Sequence, residues 1–465
     1  MSADENIDVL VIGGGPGGTP AALALAQAGK RVLLVEAGQG LGGTCLFEGC
    51  IPSKIFRETA ARRRELARAA EFGLQLPGAG SATVDWNAVQ ARRARILNQR
   101  AQGALAKAGA LPSLEVAFGR ARLTGPRTAV IEASDGRREL RFERAILATG
   151  SVPSRLPIPG ADLPGVLDSN GLIEIGFVPE SLALVGGGPV GVEMAQIFAM
   201  LGSQVTLLEA MPRILAPVDS VLGGMLAERL EADGIAVQTG VNIEAIAGDE
   251  NQRTVSYSQG GQQRELTAQV VAVVAGRHPN VDGLGLENTA VRHDRHGIKV
   301  DETLQTDEAG IYATGDVVGN PMFAHWATAQ ALAVARHLLG APADFPRPEH
   351  NSAVIFSYPE LAMAGLTEEA ARAAGDDVDV VEYDYRVDAR TQISGDAFGR
   401  LRIVYRRADR SIVGVHALVE GAADIMGEAA LAVRHGLTLE QFATAIHPHP
   451  TLTEAMGTAA RMAAG

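Results

Sequence analysis

Two cysteines, Cys45 and Cys50, are the only ones in a chain of 465 residues, and they stand five positions apart. A bridge between residues this close removes little loop entropy from the unfolded chain, so it adds little stability. A secreted scaffold uses more cysteines and spreads them to staple distant segments. A reversible, reactive pair is therefore the better reading than a structural or inert one. The spacing fits the start of a helix running to about Ala70, whose N-terminal dipole stabilises thiolate. Lys54, four residues past Cys50, adds positive charge about one turn away. A second group lies near the C-terminus, in His447 to Glu454 (HPHPTLTE). A base poised near neutral pH is what thiol–disulfide exchange requires, and histidine supplies it. Pro450 restricts the backbone of His449. Locally, Thr451 to Glu454 is equally a capping-box pattern, with Glu454 a helix cap and the histidines loop residues.

The elements around the cysteines are nucleotide-binding ones. From Asp8 to Glu36 an apolar strand, Val9 to Ile12, leads into Gly13, Gly15 and Gly18 in G-x-G-x-x-G spacing. An Ala/Leu-rich helix, Thr19 to Ala28, is stopped by Gly29, and a second strand, Val32 to Val35, ends on Glu36. The same text recurs from Ser181 to Glu209, with Gly186, Gly188, Gly191 and Glu209. In both copies the first glycine precedes the acid by 23 positions. The first glycine makes the turn, the second admits the pyrophosphate and the third lets helix and strand pack closely. The helix N-terminus offers free N–H groups to phosphate, and the acid accepts from ribose hydroxyls. One such motif is weak evidence; two, each between strand and helix, imply two dinucleotides. A carboxylate at Glu209 suits a free 2′-hydroxyl and repels a 2′-phosphate, which favours NAD(H) over NADP(H). Arg213, four residues on, is the one nearby feature that weakens this.

Composition narrows the class. A formal net charge of −13 argues against nucleic acid as a general partner. No apolar run approaches the ~18–20 residues that span a bilayer, so no membrane is expected. Met1 to Asp8 is polar and acidic, without the pattern of a secretory signal, so a cytoplasmic protein is expected. The reading calls for no metal.

With these motifs in view, the chain resembles the two-cysteine flavoprotein disulfide reductases (pyridine nucleotide-disulfide oxidoreductases). The resemblance rests on GGTCLFEGCIPSK (Gly42 to Lys54), ATG (Ala148 to Gly150), AGRHPN (Ala275 to Asn280), IYATGDVVG (Ile311 to Gly319) and HPHPTLTE (His447 to Glu454). It implies an α/β fold with two Rossmann-like domains, for FAD and NAD, and a C-terminal α+β dimerisation domain. The domains expected are residues 1–155 (FAD, first part), 156–274 (NAD), 275–346 (completing the FAD site) and 347–465 (interface). For FAD it implies Gly13, Gly15, Gly18, Glu36, Gly43, Thr44, Thr149, Gly150 and Asp316, the last holding the ribityl chain. For NAD it implies Gly186, Gly188, Gly191, Glu209, Gly276 and Arg277.

The catalytic roles implied are equally specific. Cys50 is the thiol next to the flavin, forming the charge-transfer thiolate, and Cys45 is the interchange thiol. Lys54 and Glu193 pair near flavin N5. His449 is the acid–base, oriented by Glu454, and in the homodimer it serves the cysteines of the other subunit.

The C-terminal text from Gly414 to Gly436 most resembles the lipoamide dehydrogenase branch. A lipoyl-carrying protein or lipoyl domain would then be the substrate, oxidised with NAD+. The alternatives are an NADH-dependent reductase of another disulfide, and a non-catalytic redox-sensing or structural subunit, which ought to have lost a cysteine, His449 or Glu454. Two departures from that branch stand out. Glu48 puts a negative charge between the thiols, and Pro448 stands between the two histidines. A basic run, five arginines against two glutamates from Arg57 to Arg68, and a second at Arg92, Arg93, Arg95 and Arg100, read as solvated helix faces or as a docking surface for an acidic carrier.

Overall fold

The computed structural model describes residues 6–75, 82–133, 136–249 and 251–464. The first five residues of the polar N-terminal stretch lie outside these. Compactness divides the chain into two units. One comprises residues 1–52, 88–154 and 276–346, and the other residues 53–87, 155–275 and 347–465.

In the first unit the glycine-rich βαβ text folds as a parallel sheet. Asn6–Ile12 pairs with Val32–Glu36 on one side and with Gly136–Leu147 on the other. Leu114–Gly125 and Ile311–Ala313 extend the sheet at its two edges, also in parallel. The strands read as unbroken apolar runs because both faces are covered. Leu10, Ile12, Leu33 and Val35 enter one core, while Val9, Val11, Val32 and Leu34 enter the other with Ala21, Ala22 and Leu25 of the helix Thr19–Gln27. Side chains that alternate about a strand make that division. The two 12-residue strands outrun the parallel sheet, and their free ends are joined through Thr128–Ala133 in an antiparallel pairing.

The second unit repeats the device. Ser181–Val185 is central to a five-stranded parallel sheet, with Gln204–Glu209 and Ala236–Thr239 on one side and Val270–Val273 and Val166–Leu167 on the other. Three antiparallel strands, Val241–Gly248, Arg253–Gln259 and Gln262–Ala268, form a sheet of their own. Residues 347–465 build a five-stranded antiparallel sheet in the order Ser352–Ile355, Leu361–Gly365, Ile412–Leu418, Arg400–Arg406, Val378–Asp384. The helices Ala422–His435 and Glu454–Ala464 close a core against it through Ile425, Met426, Ala429, Ala455, Met456 and Ala459. No helix among the described residues is long and apolar enough to cross a membrane.

Candidate active site

The single helix expected over the cysteines is two. Cys45 lies in the five-residue helix Gly43–Phe47, and Cys50 opens the 18-residue helix Cys50–Ala67, followed by a 3-10 turn at Ala69–Phe72. The break falls at Glu48 and Gly49. The Glu48 N–H closes the first helix on the Thr44 carbonyl, and a Cβ at Gly49 would come within 3.3 Å of that same oxygen. The dipole of the long helix therefore acts on Cys50, at its first position, and not on both thiols. Leu46, Phe47 and Ile51 anchor the segment on Leu97 and Ala101. Cys45 is half-buried, while Glu48 and Cys50 are exposed.

The first glycine turn makes a cradle of bare backbone. A Cβ at Gly13 would lie 2.2 Å from the Ala148 carbonyl oxygen, and one at Gly43 would lie 2.8 Å from the Gly15 Cα. At Gly18 it would meet the Gly13 oxygen, so helix and strand touch there only because glycine has no side chain. Thr314 adds a third segment, its hydroxyl donating to the Gly17 carbonyl at 2.8 Å. Three backbones brought together at the N-terminus of a helix fit a pyrophosphate.

Further residues frame this cradle. Glu36 accepts from the N–H groups of Gly14 (2.6 Å) and Gly38 (2.5 Å). Asp316 accepts from the Ser151 hydroxyl at 2.6 Å, and Arg277 donates to the same hydroxyl at 2.8 Å and to the Ser151 carbonyl at 2.7 Å. Thr149 donates to the Asn280 carbonyl at 2.7 Å, and the Asn280 N–H bonds the Gly150 carbonyl at 2.9 Å. Arg277 and Gly276, expected on the NAD side, thus belong to the first unit with Ser151 and Asp316.

The second glycine turn repeats the acid-to-backbone bonds of the first. Glu209 accepts from Gly187 N–H at 2.5 Å and Met211 N–H at 2.6 Å. A Cβ at Gly186 would lie 2.6 Å from the Val274 oxygen, and Gly191 touches Gly186 as Gly18 touches Gly13. Gly188 opens onto free space, so a phosphate can approach the helix Pro189–Leu201. Arg213 does not offset Glu209. Its guanidinium is held by the carbonyls of Leu215, Ala216 and Val218.

Lys54 and Glu193 come together as expected, Nζ to Oε2 at 2.7 Å, although 139 residues separate them in sequence. The other Glu193 oxygen accepts from the Phe356 N–H at 2.9 Å. One turn on, Arg57 donates to the Phe356 and Ser357 carbonyls, grips Glu420 with two bonds (2.9 and 3.0 Å) and lies 3.3 Å from Glu360. Burial holds Glu360 above the usual carboxylate range and pushes Glu420 up to about 7, even with Arg57 beside it. Most arginines of the run from Arg57 to Arg68 are likewise tied to other segments of the chain. Arg63 donates to the Met200 carbonyl, Arg64 lies 3.8 Å over the Tyr358 ring, and Arg68 joins Asp396 and Glu71. Arg62 is the arginine of the run that stays largely exposed, at 66%, paired with Glu58 one turn back. Arg92, Arg95 and Arg100 are exposed.

His449 Nδ1 donates to both oxygens of Glu454, at 3.0 and 3.1 Å, and its side chain is 74% exposed. Glu454 also accepts from the Thr451 N–H at 2.8 Å. That backbone bond first, and His449 second, hold its carboxyl below the usual range. Glu454 thus makes the carboxylate half of a capping box and the dyad bond together, while the Thr451 hydroxyl turns to the Pro448 carbonyl. With Nδ1 engaged, the exposed Nε2 is the atom left to exchange a proton.

Comparison with known proteins decides the family. Residues 7–331 match the family described as pyridine nucleotide-disulphide oxidoreductase, and residues 351–460 match its dimerisation domain. The chain belongs to the pyridine nucleotide-disulphide oxidoreductases. This oxidoreductase is an NAD-dependent flavoprotein, with FAD and NAD as cofactors, in line with the resemblance read from the motifs. It is 34% identical over 448 residues to a dihydrolipoyl dehydrogenase of Bacillus subtilis (strain 168), covering 96% of each chain. It is 36% identical over 467 residues to a dihydrolipoyl dehydrogenase of Thermus scotoductus, covering 98% of this chain and 97% of the other. Among solved structures it is similar to the HOCl-induced flavoprotein disulfide reductase RclA of Escherichia coli, seen as a Cu(II) complex, with TM-score 0.88 and 27% identity over 98% of this chain and 99% of that one.

Several residues of this oxidoreductase escaped the sequence reading. Gly14 and Gly187, the middle glycines, matter because a Cβ at either would lie 2.8–2.9 Å from a carboxylate oxygen of the paired acid. The triple-glycine runs were the available signal. Ser151, Arg57, Glu360 and Glu420 carried none, because their partners are remote in sequence.

Proposed function

We propose that this oxidoreductase oxidises dihydrolipoyl groups carried on a protein, delivering the electron pair to NAD+ through a Cys45–Cys50 disulfide. The observation that carries the reading is the His449–Glu454 pair, a fixed imidazole with an exposed Nε2. A substrate thiolate attacks the sulfur of Cys45, the bond to Cys50 breaks, and Cys50 leaves as thiolate with the electron pair. His449 takes the proton of the second substrate thiol. That sulfur then displaces Cys45, closing the substrate disulfide. FAD, when bound, supplies two-electron transfer between the dithiol and NAD+. Lys54, fixed by Glu193, tunes the flavin potential.

The reading takes residues 1–155 and 275–346 for FAD, 156–274 for NAD and 347–465 for the interface of a cytoplasmic homodimer. There the partner subunit's His449 serves the cysteines. The similarity to dihydrolipoyl dehydrogenases over nearly the full length favours the lipoyl substrate. The similarity to RclA favours a second reading, NADH-driven reduction of another disulfide at the same residues.

Steady-state turnover separates them. Dihydrolipoamide with NAD+ is expected to turn over at least ~100-fold more efficiently than with NADP+, a difference of about 2.7 kcal/mol in transition-state binding. No dihydrolipoamide oxidation, alongside brisk NADH-dependent reduction of another disulfide, establishes the second reading instead.

A further inference from the structure

The loop that carries His449 runs from Thr444 to Thr453, between the helices Leu439–Ala443 and Glu454–Ala464. Much of it faces outward, with Ile446 fully exposed and His449 three-quarters exposed. His447 turns inward. Its side chain is 8% exposed, and its Nε2 donates to Glu428 Oε1 at 2.7 Å, on the helix Ala422–His435. The ring stands edge-on to Phe442, at 6.3 Å and 81°. Its Nδ1 is buried without a hydrogen-bond partner among the described residues, and it faces Gly457. A Cβ at Gly457 would lie 2.9 Å from Nδ1 and 3.1 Å from Cε1.

Three helices therefore fix one imidazole two residues before the exposed one. Gly457 follows Glu454 by three positions, one turn along the same helix face. The helix that receives the His447 ring is the helix that presents the Glu454 carboxylate to His449. A bond to an ionised carboxylate is among the stronger side-chain bonds, and here it is shielded from solvent on the imidazole side. At the far end of the loop Leu452 also packs against the core of the sheet, so His447 and Leu452 hold the two sides of the segment that carries His449.

We propose that His447 and Glu428 form a positioning pair. It anchors the loop so that Nδ1 of His449 reaches Glu454 and Nε2 keeps one direction. The inference rests on the reading of His449 as the proton carrier. Neither His447 nor Glu428 is a catalytic residue in it, since neither touches a reacting atom. A loop released from the pair holds His449 in many orientations, and a misplacement of about 1 Å costs on the order of 100-fold in rate.

The test uses the FAD-loaded protein and two activities. One is dihydrolipoamide oxidation with NAD+, which needs the proton carrier. The other is NADH oxidation by ferricyanide, which draws electrons from the flavin and needs no thiol proton transfer. Glu428→Ala and His447→Leu are expected to lower kcat of the first by roughly 10- to 100-fold and to leave the second within about twofold. Glu428→Gln keeps an acceptor for Nε2–H and is expected to restore the first to within about threefold of the parent. Equal loss in both activities, or Gln as damaging as Ala, marks a merely structural role and overturns the proposal. Glu428 is one-third exposed, so its variants keep the test open if His447→Leu fails to fold. His449→Gln is the control. If it leaves dithiol oxidation intact, the acid–base reading fails and this one with it. If it abolishes oxidation while Glu428→Ala does not, only the positioning pair is wrong.

Discussion

The Lys54 ammonium lies 2.7 Å from Oε2 of Glu193, a carboxylate whose side chain is only 9% exposed and whose other oxygen takes the Phe356 N–H. Removing one partner of such a pair strands a buried charge, whereas removing both does not. Lys54→Met is expected to cost roughly 2–4 kcal/mol of stability. The double variant Lys54→Met, Glu193→Met is expected to recover most of that loss. Urea unfolding of the four proteins of the cycle measures it. Additive losses would show that the pair is not coupled.

Glu209 bonds Gly187 and Met211 at once, and Arg213 is held away by carbonyls. Glu209→Ala is expected to lower kcat/KM for NAD+ by about 10- to 100-fold, the loss of hydrogen bonds to a charged group worth ~1.5–3 kcal/mol. NADP+ is expected to remain a poor substrate, because Arg213 cannot swing to a 2′-phosphate without abandoning its carbonyls. Efficient NADP+ turnover by this single variant contradicts that account.

Glu420 and Glu360 share Arg57, and burial raises Glu420 to about 7 and Glu360 above its ordinary value. The sign follows from proton binding. Between the ordinary carboxylate range, near 4.5, and about 7 the folded state holds the Glu420 proton and the unfolded state does not. Stability therefore falls as pH rises through this window. Glu420→Gln removes the titration. Relative to the parent, the variant is expected to gain about 1–3 kcal/mol between pH 5 and pH 8. Thermal melting at the two pH values reads this, and a constant difference between the proteins tells against it.

Glu48 stands exposed between the two cysteines, at the end of the helix carrying Cys45 and ahead of the one opened by Cys50. Solvent screens it, so its effect is that of a surface charge, about 0.2–1 kcal/mol. Glu48→Val is expected to raise the rate of thiol alkylation of the reduced protein at neutral pH by about two- to fourfold, with the difference lost at high salt. An unchanged alkylation rate and an unchanged redox potential at low salt remove any influence of Glu48 on the thiols.

Short-range chemistry was legible in the residues alone. The two glycine turns, their acids and the strands that flank them are local patterns, and a strand buried on both faces needs only a continuous apolar run to announce itself. The paired cysteines and the His449–Glu454 segment were visible for the same reason, since each group lies within a few residues of its partner. The sequence could not reveal that one assumed helix is two. That depends on the Thr44 carbonyl closing the first helix on the Glu48 N–H, with Gly49 leaving room beside it.

Tertiary structure alone decided which charges are working charges. Four of the five arginines from Arg57 to Arg68 prove to be ties to Glu420, Met200, Tyr358 and Asp396, 137 to 363 residues away, while Arg62 stays exposed. An arginine beside a distant carboxylate and one in water have the same sequence. Only the desolvation and the partner that folding supplies distinguish them. The two histidines of the C-terminal loop divide on the same ground. Both were legible as candidates, and burial against Glu428 and Gly457 separates His447 from the exposed His449.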